Sequence, residues 1–126
     1  NIAGLYGMRA GLEMILGTGL PAISAAILDT ADYLHGILEA DGYEFLSPPR
    51  TDPMRCGIVT ARHPRADAAA LFAALESNHI TASLRTARDG GRWLRFSPHF
   101  YNTRAEIDRV TDVLRTEAAS AHPPAA

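Results

Sequence analysis

The sequence contains no lysine: all 12 of its Lys-plus-Arg positions are arginine, at 9, 50, 55, 62, 65, 85, 88, 92, 95, 104, 109 and 115. A guanidinium stays protonated and is a poor amine nucleophile, so no side chain here forms a Schiff base or serves as an ammonium base. Cysteine is nearly absent as well. The single Cys56 excludes an internal disulfide, and the first residues lack the charged, apolar and small-residue pattern of a signal peptide; together these set the expectation of a cytoplasmic protein. Aromatic residues make up 7% of the chain and do not interleave with the arginines, which leaves little with which to stack nucleic-acid bases. A formal net charge of -2 provides no basic field for nucleic acid or anionic lipid. Arg9 and Glu13 interrupt the first apolar stretch, and Asp29 and Asp32 the second, so no run reaches the roughly 20 residues of a membrane helix. The expected partners therefore include neither nucleic acid nor membrane.

What is present suits one hydrophobic core: 126 residues, 47% of them hydrophobic. Ile2, Leu5, Met8, Leu12, Ile15 and Leu16 recur at three- and four-residue spacing and predict a helix with one apolar stripe. Ala3, Gly7 and Gly11 fall four apart on the same helix and form a small-residue face. The stripe starts directly at Asn1, with neither initiator methionine nor leader, as expected of a piece of a longer protein. Gly17-Thr18-Gly19-Leu20-Pro21 predicts a break, a glycine ending one helix and a proline in the first turn of the next. Leu20, Ile23, Ile27, Ala31, Leu34 and Leu38 carry the second helix to Ala40, and Asp41-Gly42 stops it.

Tyr43 to Leu46 is a short strand candidate. The three prolines of Ser47-Pro48-Pro49-Arg50-Thr51-Asp52-Pro53 then mark a surface loop. Gly57 to Ala61 reads as a strand and Asp67 to Ser77 as a helix with Leu71, Phe72 and Leu75 on one face. Ile80 to Thr86 and Trp93 to Ser97 flank the turn signal Asp89-Gly90-Gly91, which predicts a hairpin. Thr103-Arg104-Ala105-Glu106 has the form of a capping box and starts a last helix with Ile107, Val110, Val113 and Leu114 on its buried face. From Ala118 onward the Ala- and Pro-rich end is expected to fray. The order is two helices, a weak strand, strand, helix, hairpin, helix. It predicts an α/β (α+β) fold, a small, mostly antiparallel sheet with helices on one face. Residues 1–40 form a helical pair, 41–118 the α/β domain and 119–126 a tail. The pair exceeds what such a sheet needs, so it is expected to pack on something else.

Chemistry-bearing residues are few. His35, His63, His79, His99 and His122 lie on different elements without ligand spacing, so no metal site is expected. Cys56 beside Gly57 reads as a small buried thiol rather than a nucleophile. Ser97 and His99 lack an acidic third member, and Pro98 breaks the strand between them. Arg95 is more informative. Strand alternation in Trp93-Leu94-Arg95-Phe96-Ser97 puts Leu94 and Phe96 on the core face and Trp93, Arg95 and Ser97 on the other. A guanidinium there stands on a rigid platform and can pair both oxygens of a carboxylate, or alternatively a neighbouring Asp or Glu. Arg85 on the preceding strand offers a second positive charge.

Leu94-Arg95-Phe96-Ser97-Pro98-His99-Phe100-Tyr101-Asn102-Thr103, followed by Glu106, Ile107 and Asp108, resembles the C-terminal segment of class V aminotransferases. These are fold-type I enzymes that use pyridoxal phosphate, a group that includes cysteine desulfurases, kynureninase and isopenicillin N epimerase-like proteins. Asn1 to Leu5 resembles the family's lead into the small domain, and Cys56 to Val59 that domain's first main strand. The resemblance implies that Arg95 binds the substrate α-carboxylate, with Arg85 beside it, and that Asn102 and Thr103 are turn and cap. It further implies pyridoxal phosphate in the parent enzyme, an amino-acid-like substrate, the remainder of that enzyme as partner, and a full-length homodimer. The stretch between Arg85 and Arg95 lacks the cysteine that forms the persulfide in desulfurases. The family's Schiff-base lysine and cofactor-binding residues precede the resembling segment, so no catalytic or cofactor-binding residue is assigned here, and the chain alone is expected to be inactive. The competing expectations are a free-standing regulatory module that binds a carboxylate or amino acid without catalysis, and a structural domain whose helical pair mediates assembly.

Overall fold

In the computed structural model, which describes residues 1–46 and 55–120, four helices accompany a four-stranded sheet. The Pro-rich loop expected at 47–53 lies outside the described residues. Helix α1 (Ile2–Thr18) opens on an Asn1 cap whose Oδ1 accepts the Gly4 N–H at 3.1 Å. It closes at Gly19, whose φ of 90° is a conformation glycine adopts without a Cβ clash. Pro21 then occupies the first turn of α2 (Leu20–Ala40), where its missing N–H has no intrahelical acceptor in any case, and the two helices meet at 82°. No single helix is long and apolar enough to cross a membrane.

The strands are β1 (Glu44–Phe45), β2 (Val59–Arg62), β3 (Ser83–Thr86) and β4 (Arg92–Phe96), in spatial order β1-β2-β4-β3 and antiparallel throughout. Between β2 and the hairpin runs α3 (Ala68–Ser77), and α4 (Arg104–Ser120) ends the described chain. The predicted hairpin is present, and Asp89 shapes its turn by accepting the Gly91 N–H at 2.9 Å while Gly90 takes a φ of 84°. Three strands are shorter than the sequence suggests, β1 keeping only Glu44 and Phe45 of the expected 43–46. Residues 80–82 are spent leaving α3, where Ile80 N–H returns to the Leu75 carbonyl at 2.9 Å, and residues 57 and 58 precede the first pairing of β2 with β4. The last helix runs through Ser120 with Ala118 packed against the core, so fraying does not begin at Ala118; residues 121–126 lie outside the described residues.

Leu34 and Leu38 of α2, Leu71 and Leu75 of α3 and Leu114 of α4 meet Val59, Ala61, Leu94 and Phe96 in one cluster, so the helices cover one face of the sheet. Removing a leucine side chain from water contributes about 1.5–3 kcal/mol, and that burial outweighs the weak propensity of strands only two to five residues long. Helix α1 contributes nothing to this core. None of its residues is buried, and Ile2, Leu5, Met8, Leu12 and Leu16 are each at least half exposed, so the apolar stripe lacks a covering element among the described residues. The small residues Gly7 and Gly11 likewise face open space.

Gly57 marks a close approach. A Cβ built there would overlap Cγ2 of Ile27 on α2, a stiff β-branched side chain with little room to move. Gly57→Ala is expected to destabilise the fold by about 1–3 kcal/mol through overpacking, read as a lower urea midpoint; an unchanged midpoint means that α2 gives way freely.

The capping box at the start of α4 forms as the sequence predicts. Glu106 Oε2 accepts the Thr103 backbone N–H at 2.7 Å, and the Thr103 hydroxyl accepts the Glu106 N–H at 3.3 Å. The Thr103 amide, then the Asn102 side chain and the Thr103 hydroxyl, hold the Glu106 carboxyl below its ordinary value of 4.5. A depressed carboxylate pKa stabilises the fold fully above the ordinary value, and the contribution is lost as pH falls through the folded-state value. The Tm advantage of the protein over Glu106→Gln should therefore shrink between about pH 6 and about pH 3; a constant difference means the carboxylate charge is immaterial to the cap.

Candidate functional site

Pairing register decides what shares the sheet face opposite the helices. Thr60 of β2 and Ser83 of β3 both stand opposite Arg95 of β4, while Arg85 stands opposite Trp93. Strand alternation turns Leu94, with its neighbours Ala61 and Leu84, towards the helices and Trp93 and Arg95 away. Arg85 lies two positions from Ser83, so both arginines singled out in the sequence occupy this second face as diagonal neighbours.

The surroundings of the arginines differ in kind. Arg9 pairs with Glu13, Arg55 with Asp32, Arg62 with Glu44, Arg92 with Asp67, Arg104 with Asp29 and Arg115 with Asp41. Arg109 donates to the Asn78 carbonyl at 2.9 Å. Among the described residues no carboxylate pairs with Arg65 or Arg88, which lie outside the strands, or with Arg85 or Arg95 on the sheet, and the buried Nε of Arg95 has no hydrogen-bond partner. The neighbouring Asp or Glu that would have made Arg95 an ordinary surface ion pair is thus missing from the described residues. An unmet buried donor costs about 1–3 kcal/mol. Ser83 and Thr60 flank it with hydroxyl groups.

Trp93 is the residue whose place the sequence did not reveal. Alternation puts it beside Arg95, away from the helices, yet it is only 6% exposed. The Arg62 guanidinium lies 4.5 Å from the centre of its ring, a cation–π contact, and Glu44 holds that guanidinium from behind at 2.7 Å. Its indole Nε1–H is buried without an acceptor. The cross-strand register that brings Arg62 and Arg85 to either side of it is a long-range property with no local signal.

The remaining candidates resolve otherwise. Cys56 is exposed rather than buried, because the chain at this position has not yet entered the sheet. Strand β4 ends at Phe96, and the His99 backbone N–H is held by Asn102 Oδ1 at 2.8 Å; no hydrogen bond joins Ser97 to His99 among the described residues. His63 serves a turn, its Nδ1 accepting the Ala66 N–H at 2.9 Å, and His35 stacks on Phe45 with ring centres 3.8 Å apart. Among the described residues no three His, Cys, Asp or Glu side chains gather in a way that could hold a metal ion, and His122 lies outside them.

A sheet of this order, with helices on one face and unpaired arginine donors on the other, makes a small α/β domain. The aminotransferase class-V family model matches residues 1–110, and the chain belongs to that family. Its fold is similar to part of a cysteine desulfurase from Thermococcus onnurineus NA1, solved in the apo state, with a TM-score of 0.81 at 19% identity over 94% of this chain and 32% of that one. It is also similar to an 8-amino-7-oxononanoate synthase from Francisella tularensis (TM-score 0.59, 18% identity, 76% of this chain and 27% of that one). A serine palmitoyltransferase from Sphingomonas wittichii gives a TM-score of 0.62 at 16% identity, over 77% of this chain and 24% of that one. The fold class is that of fold-type I enzymes, and the chain spans about a third of the length of the desulfurase. No curated protein sequence matches the chain.

Proposed function

We propose that this chain is the C-terminal small domain of a pyridoxal-phosphate-dependent class V aminotransferase-like enzyme, and that Arg95 binds the substrate α-carboxylate with Arg85 adding positive charge beside it. The observation that carries the proposal is the pair of strand arginines left without a carboxylate on one sheet face, whereas Arg65 and Arg88, also without one, lie off the sheet and six others are taken. Residues 41–118 together with α2 are the domain proper and α1 the connection to a large domain, a division supported by Leu34 and Leu38 of α2 in the core and by the bare apolar stripe of α1. Homodimerisation of the full-length enzyme and a cytoplasmic setting belong to the same proposal.

The residues of this chain do not fit the cofactor. Without a lysine there is no amine for a Schiff base, so pyridoxal phosphate is held by the remainder of the parent enzyme, and this domain acts by positioning. A guanidinium fixed on a strand pairs with both oxygens of a carboxylate, which sets the direction in which the rest of the substrate points. The chain alone is accordingly inactive.

Split-enzyme reconstitution tests the proposal. The preceding part of the parent enzyme, expressed separately, should turn over an amino-acid substrate only when this chain is added. Equal turnover with and without the chain removes the assignment.

A further inference from the structure

We infer that the cavity between the end of β4, the exit from α3 and the first turns of α4 is a second binding site. It takes a small amphipathic acid, an apolar body ending in one carboxylate that Arg109 and His79 hold. The cavity measures about 350 Å³, which is within the range of small-molecule sites. Leu34, Phe96, Ile107 and Val110, all members of the core, line one part of it, and the half-buried Ile80 and Pro98 extend that apolar wall. Phe96 and Arg95 point to opposite faces of β4, so the inference goes beyond the Arg95 assignment and does not rest on it.

The charges on the lining are unequally matched. Glu106 is engaged at the α4 cap, where its Oε2 accepts from the Thr103 amide at 2.7 Å, the Thr103 hydroxyl at 3.2 Å and the Asn102 side chain at 3.4 Å. Arg109 donates to the neutral Asn78 carbonyl at 2.9 Å and forms no ion pair among the described residues, so its charge is uncompensated. The same contact holds the guanidinium next to His79, the following residue in the chain. His79 takes a φ of 58° just past the end of α3, with its own N–H bonded to the Glu76 carbonyl and the Ile80 N–H to that of Leu75. Glycine is the usual residue at this point of such a helix end. A side chain there carries backbone strain, a feature that clusters at ligand sites. The imidazole presents at least one N–H donor to the cavity in either protonation state, so a carboxylate placed between it and Arg109 meets both a donor and a charge. The cavity beside Arg62 and Asp67 differs in this respect, because Arg62 is paired with Glu44 and Arg92 with Asp67.

Isovalerate, isovaleramide and acetate are the probes. The amide keeps the apolar body without the charge, and acetate keeps the charge with almost no body. In an NMR titration of the chain, isovalerate should move the backbone resonances of His79, Ile80 and Thr81 and the methyl resonances of Ile107 and Val110. It should bind about tenfold tighter than either of the other two. Arg109→Gln should abolish the preference for isovalerate over isovaleramide. His79→Gly should raise the urea midpoint, since glycine adopts the positive φ freely, and at the same time weaken isovalerate binding several-fold. Those opposite movements exclude a folding defect as the cause. Isovaleramide binding as tightly as isovalerate, resonances of the cavity that isovalerate leaves unmoved, or an affinity unchanged in both variants overturns the inference. Shifts confined to Arg85 and Arg95 overturn it as well, and support the carboxylate site on the other face of the sheet.

Discussion

Arg95→Ala in the parent enzyme is expected to lower kcat/KM for an amino-acid substrate by about 30-fold to about 5,000-fold. Truncating one partner of a desolvated, hydrogen-bonded charge pair costs roughly 2 to 5 kcal/mol, and each 1.36 kcal/mol is about a factor of ten in rate. The effect should fall on kcat as well as KM, because a substrate that has lost its carboxylate anchor binds more weakly and also points in more directions. Arg95→Lys separates charge from geometry. A lysine ammonium restores the charge without the planar fork, so it should recover binding in part and orientation little. Stability is not expected to suffer, since Arg95 makes no ion pair among the described residues and its buried Nε is unmet in the folded chain. Unchanged kcat/KM with an amino-acid substrate would remove Arg95 from the site.

Leu94→Ala should have the largest effect on the fold. Leu94 is 0% exposed, sits on the central strand β4 between Ala61 and Leu84, and faces the helices. Deleting its isobutyl group removes the transfer free energy and leaves a cavity that the surrounding strands and helices close only in part, for a cost of about 2–5 kcal/mol. Against a typical stability of about 5–15 kcal/mol for a small domain, this is enough to leave a large unfolded fraction under mild denaturant. The check is a urea or guanidinium titration followed by circular dichroism. A shift below about 1 kcal/mol shows that the core around Leu94 repacks freely, contrary to the close packing expected of a protein interior. Arg95, one residue on and facing the other way, is the internal control: the two variants should separate stability from function.

Local features were legible because each is written within a few residues. The helix break at Gly17 to Pro21, the turn at Asp89 to Gly91 and the capping box of Thr103 and Glu106 all appear where the sequence puts them, since each depends on a dihedral preference or a hydrogen bond spanning no more than four positions. Alternation along β4 was legible for the same reason and assigned Leu94 and Phe96 to the core. Cys56 was misplaced because strand β2 starts at Val59, and a strand's limits depend on which partner pairs with it. Trp93 was set on the outer face but its burial could not be read, since Arg62, which covers it, lies 31 residues earlier and reaches it only through the β2–β4 pairing.

The sequence by itself therefore determined the element order, the absence of any lysine to carry a Schiff base, the core face of β4 and the candidacy of Arg95. Tertiary structure alone decided which arginines are available. Arg62 is neutralised by Glu44, Arg104 by Asp29 and Arg115 by Asp41, pairs separated by 18, 75 and 74 residues, while Arg85 and Arg95 face the same way with no carboxylate among the described residues. The physical reason is range: a side chain's direction follows from its own backbone, but whether its charge is satisfied depends on groups that only the folded register brings within reach.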